Sequence, residues 1–108
     1  MPHDPHYGQR SFGDLAPKLA ELTDQILFDD IWQRPGLTPR ERSLITVAAL
    51  TALNRTEQLP FHFCRAHDND IDRDTLVELI THLAFYAGWP SALSSLSVLR
   101  QIEGANTP

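Results

Sequence analysis

The sequence predicts an all-α fold of about five or six helices in one compact domain. Three features point there. Apolar residues recur three and four positions apart through most of the chain. Proline, glycine, threonine and aspartate stand where helices begin and end. No stretch between those signals sustains the two-residue alternation of a half-buried strand. At 108 residues the chain suffices for one thin core.

Residues 1–11 are polar and carry His3 and His6, and they read as a flexible N-terminal arm. The helical domain is expected over 12–103, with a frayed tail over 104–108. The first helix is predicted from about Asp14 to Gln33, with Asp14 as cap and Pro17 in the first turn, where a missing N–H does little harm. Leu15, Leu19, Leu22 and Ile26 follow at helical spacing, and Leu27, Ile31 and Trp32 widen the apolar face. Thr23-Asp24 could break this segment and cap a second helix. Arg34-Pro35-Gly36 ends it.

Thr38-Pro39-Arg40-Glu41 then combines a capping Thr, Pro at the first helical position and Glu at the third. The helix it opens runs to about Asn54 and is apolar nearly all round, as in a core or a subunit interface. Thr56 is the expected cap of the next helix, with Glu57 and Pro60 in its early positions, ending at Asp68-Asn69-Asp70. Asp72 caps the following helix, supported by Asp74, and Gly88 stops it. Pro90 opens the last helix. Several of these helices are apolar on more than one face, more than a monomer of this size can cover, so a homo-oligomer is expected.

Composition narrows the function. With 14 acidic against 9 basic residues the net charge is -5, and no basic run exists to neutralise phosphates, so no nucleic-acid partner is expected. An anionic small molecule held by one or two arginines remains compatible. The single cysteine, Cys64, cannot close an internal disulfide. With no membrane-length apolar run and no apolar leader, a cytoplasmic protein without a membrane partner is expected.

The tracts "RPGLTPRERSLITVAAL" and "ITHLAFYAGWPSA" carry a resemblance to the carboxymuconolactone decarboxylase family that extends from Phe12 to about Ile102. The resemblance implies an all-helical protein assembling as a trimer or hexamer. The activity it implies is loss of carbon dioxide from a carboxylated unsaturated lactone, such as 4-carboxymuconolactone, in aromatic catabolism. The family's alkylhydroperoxidase branch uses a Cys-x-x-Cys pair followed four residues later by His. The matching histidine here is His62, and the cysteine positions fall on Arg55 and Gln58, neither a thiol. After His62 the chain departs from the family pattern. His67 enters near the region of family sites, and Asp70 replaces the usual glycine at the helix end, where a left-handed backbone is expected.

Decarboxylation of such a lactone leaves negative charge spread into the ring carbonyl. The enzyme must hold carboxylates, stabilise that charge and deliver a proton. No cofactor is expected, because the substrate's unsaturated carbonyl is itself the electron sink. On the resemblance, His62 is the first choice for acid–base work, a near-neutral pKa suiting proton delivery. Glu57 would orient it or act as the acid. Arg34 would pair with a carboxylate of a small anionic organic substrate, with Arg42 and Arg55 as further candidates. Tyr86 and Trp89 would line the pocket or pack at a subunit boundary, and His67 would join the substrate-binding set. His82 shares a stripe with Glu78, Phe85 and Trp89 that suits an interface or core. His62 and Cys64 point about 200° apart on a helix, so no metal site is expected from them and His67. A peroxidase of the same superfamily and a non-catalytic oligomeric small-molecule binder are the rival readings.

Overall fold

The computed structural model describes residues 4–105. Residues 1–3 of the expected arm and 106–108 of the expected tail lie outside the described residues. Those described form six α-helices, a π-helical segment and one 3-10 turn, with no strand among them. None of these helices is long and apolar enough to cross a membrane. Where the sequence reads as one helical domain, the backbone contacts divide the chain into two compact units, Pro2–Pro39 and Arg40–Pro108.

The first unit holds α1 (Tyr7–Phe12), α2 (Pro17–Leu22), the π segment Thr23–Phe28 and the 3-10 turn Ile31–Gln33. The sequence reading places residues 7–11 in the arm and so misses α1. The helix forms because a residue far along the chain supplies its cap. The buried Asp24 carboxylate accepts from the Gly8 N–H at 2.6 Å and the Gln9 N–H at 3.0 Å, two amides of the first turn. Gly8 is required for that approach. A Cβ there would lie 2.8 Å from the Ala20 carbonyl oxygen and 3.0 Å from Asp24 Oδ1.

Two expectations are corrected here. Asp14 does not cap α2: it lies in a turn, and Ala16 holds the cap position without a side-chain bond, while Pro17 opens the helix as expected. Thr23-Asp24 does not begin a capped helix either. The coil widens to π geometry, closed by Asp29 N–H to Asp24 O at 3.2 Å, and the Asp24 carboxylate is committed to α1. Phe28 and Trp32 are buried in this unit, with the Tyr7 ring edge-on to Phe28 at 5.8 Å. Leu15, Leu19, Leu22, Ile26, Leu27 and Ile31 remain exposed.

The second unit holds α3 (Pro39–Ala52), α4 (Leu59–Asp68), α5 (Arg73–Ala87) and α6 (Trp89–Ala105). Its core is built from Val47, Leu59, Phe63, Ala66, Ile71, Leu76, Ile80, Ala92 and Leu99. α3 starts at Pro39, as the Thr38-Pro39 signal predicts, and buries Ser43, Val47 and Thr51 at i, i+4 and i+8. The two hydroxyls on that face are matched inside. Asn69 Nδ2 donates to Ser43 Oγ at 2.9 Å, and Ser95 Oγ to Thr51 Oγ1 at 3.0 Å. α5 begins as read: the Asp72 side chain accepts from the Thr75 N–H at 2.8 Å, and Asp74 sits in the first turn. It ends at Gly88, whose φ of 99° lets the chain leave α5 and start α6 one residue later.

Two helices of this unit end in the same turn. After α4, Asp70 has φ 68°, with Ile71 N–H bonded to Ala66 O at 2.9 Å and Asp70 N–H to His67 O at 3.2 Å. After α3, Asn54 has φ 57°, with Arg55 N–H bonded to Leu50 O at 2.8 Å and Asn54 N–H to Thr51 O at 3.1 Å. Both are Schellman motifs with a polar residue at the left-handed position. Asp70 therefore occupies the backbone state expected for it.

Candidate functional site

The stretch between α3 and α4 forms one wall of an open cleft of about 690 Å³, lined by Leu50 and residues 53–58, including Arg55 and Glu57. The Schellman turn fixes where this stretch leaves α3. A second turn, Gln58 N–H to Arg55 O at 3.3 Å, then delays α4 until Leu59, with Pro60 in its opening turn. Thr56 is thus not the cap of α4. Gln58 occupies that position without a side-chain bond, because Thr56 is already consumed in the preceding turn. Glu57 consequently stands in the cleft wall outside the helix, and no helical register ties it to His62.

α4 turns Leu59, Phe63 and Ala66 inward. His62 lies on the flank of that stripe, half-buried, with its ring edge-on to Phe61 at 4.9 Å. Burial pushes the imidazole pKa down to about 4, and the positive charge of Arg65 pushes in the same direction. His62 is neutral at pH 7, contrary to the near-neutral titration expected of it. Arg65, one turn on and half-buried, is the residue the sequence reading passed over. Its i+3 spacing from His62, on the same side of the buried stripe, was the available signal.

The remaining candidates are placed as follows. His67 has both ring nitrogens engaged, Nδ1 at 3.0 Å from the Ile71 carbonyl oxygen and Nε2 at 3.2 Å from a Glu103 carboxylate oxygen. Tyr86 is 79% exposed with its ring over His82 at 4.9 Å, and Trp89 is 55% exposed and edge-on to Phe85 at 5.0 Å. Neither lines the cleft that holds Glu57. His82 and Glu78 rim a second, mostly apolar groove of about 500 Å³ between α3 and α5. Arg34 belongs to the first unit, exposed and in extended backbone just after the 3-10 turn. Cys64 is half-buried on α4.

The cleft thus brings Glu57 and Arg55 into one wall, while α4 carries a neutral imidazole with a guanidinium one turn away, and neither His62 nor Arg65 lines that cleft. These groups can bind an anion, donate a hydrogen bond to a developing oxyanion and deliver a proton.

Comparison with known proteins places residues 17–101 in a match to the carboxymuconolactone decarboxylase family. The chain is 30% identical over 92 residues to a 4-carboxymuconolactone decarboxylase of Acinetobacter baylyi, covering 85% of this chain and 69% of that protein. It is also 30% identical over 81 residues to a nitrosuccinic acid decarboxylase of Metarhizium robertsii, covering 75% of this chain. That match spans 57%, little more than half, of the fungal protein.

Proposed function

The chain belongs to the carboxymuconolactone decarboxylase family, and from that premise we propose that it is a cofactor-independent carboxy-lyase acting on a small carboxylated unsaturated lactone such as 4-carboxymuconolactone. Relatives named for decarboxylation of a lactone acid and of a nitro acid support this class of reaction. In both cases an electron-withdrawing group on the substrate can accept the electron pair released with carbon dioxide.

The observation that carries the reading is the neutral, half-buried His62 on α4, the helix entered directly from the cleft wall bearing Glu57. As the carbon–carboxylate bond breaks, its electron pair moves onto the lactone carbonyl oxygen. A neutral imidazole N–H donates to that oxygen without giving up its proton. Glu57 then supplies the proton that the substrate carbon takes up. A dithiol peroxidase reading lacks its second thiol, since Cys64 is the only cysteine in the sequence.

The protein works as a homo-oligomer, a trimer or hexamer, in the cytoplasm. The exposed Ile45, Phe85, Tyr86, Trp89 and Leu93 support that assembly, because so much apolar surface is costly to leave in water. Carbon dioxide release and ultraviolet absorbance on adding 4-carboxymuconolactone test the activity, with His62→Ala and Glu57→Gln in parallel. Turnover in the wild type that falls by about 100-fold or more in each variant is the expected result. Full activity in His62→Ala removes that residue from the site, and a wild type inert toward the lactone removes this substrate.

A further inference from the structure

The two Schellman turns of the second unit share their backbone bonding and differ in one side chain. This motif commonly seats an apolar residue after the left-handed position, packed back toward the helix. After α4 that residue is Ile71, 1% exposed and part of the core that also holds Ala66. After α3 the same position is Arg55, which is exposed. Leu50, whose carbonyl receives the Arg55 N–H, is left lining the cleft together with Leu53. Packing explains Ile71 but not Arg55. The cleft is open where the equivalent turn is closed, and a guanidinium stands at its edge, fixed at the main chain by the 2.8 Å bond to Leu50 O.

We propose that this cleft is a carboxylate-binding subsite in which Arg55 holds one carboxylate of a short organic dicarboxylate while Leu50 and Leu53 cover its carbon chain. A planar fork of donors suits a carboxylate bidentately, and the leucines favour an acid of a few carbons over an inorganic anion. Held at one end by Arg55, the bound acid keeps its retained carboxylate there and its reacting end away from it. This assignment rests on the decarboxylase reading for the identity of the substrate but not for the existence of the subsite.

Succinate, a dicarboxylate that cannot lose carbon dioxide under these conditions, is the probe, and its neutral diamide is the control. Amide chemical shifts of the full chain are followed during titration. Saturable shifts confined to residues 50–58 are expected with succinate and not with the diamide. Binding weakens by about tenfold or more in Arg55→Gln and by less in Arg55→Lys, which keeps the charge but loses the bidentate fork. Arg55→Ile, which places at this turn the residue type found at the other, abolishes binding and raises the melting temperature. Succinate binding unchanged in Arg55→Gln, shifts centred elsewhere, or a destabilised Arg55→Ile protein each overturn the assignment. Turnover of 4-carboxymuconolactone is measured separately. Succinate binding at Arg55 without turnover removes the lactone as substrate and keeps the subsite, and turnover indifferent to Arg55→Gln does the reverse.

Discussion

Acidification is expected to unfold this protein partly through one residue, His62. Its pKa is near 6.5 in the unfolded chain and about 4 in the fold, because burial removes water from the imidazolium and Arg65 repels it. Between those values the unfolded state binds the proton and the folded state does not, so stability rises with pH across the window and is lost as pH falls through it. At about 1.4 kcal/mol per unit, the loss is roughly 3 kcal/mol by pH 4, a large share of a small domain's stability. The assay is denaturant unfolding of the wild type and His62→Gln at several pH values from 7.5 to 4. Glutamine has no proton to take up, so the variant's stability should fall less steeply between about pH 6.5 and 4, while the acidic groups common to both cancel. Parallel curves would refute the burial argument for His62.

Four further outcomes are expected. Arg65→Gln should raise the His62 pKa partway toward 6.5, read from imidazole proton shifts; the remaining depression is the part due to burial, which is the larger cause. Asp24→Ala should cost about 1–3 kcal/mol, because two first-turn amides lose their acceptor, and amide exchange should accelerate at Gly8 and Gln9 before it does in the second unit. Asp70→Gly should stabilise the fold by about 1 kcal/mol at φ 68°, measured by thermal unfolding. Ser95→Ala should destabilise by about 1 kcal/mol, since the buried Thr51 hydroxyl loses its 3.0 Å partner.

Much of the helical frame was legible because its signals are local. Pro39 starting α3, Asp72 capping α5 and Gly88 ending it each act through atoms within a few residues. So does the left-handed Asp70, foreseen from the glycine it replaces in the family pattern. The all-helical class follows from the same periodicity. Failures fall where the partner is distant or where two local signals compete. α1 depends on a carboxylate 16 residues away, so nothing within residues 7–12 announces it. Thr56 carries a capping signal, but a turn anchored at Arg55 takes it first.

The candidate site divides along the same line. The sequence supplied its residue types: a histidine, a glutamate and several arginines. What only the tertiary structure decided is their chemical state and company: His62 half-buried beside Arg65 and therefore neutral, Glu57 off the helix, and Arg55 at the edge of a cleft that Ile71 closes in the sister turn. A residue's identity and its local backbone preference are written in the chain. Its protonation and its neighbours depend on how much water the fold removes and which distant segments it brings near, and neither is a local property.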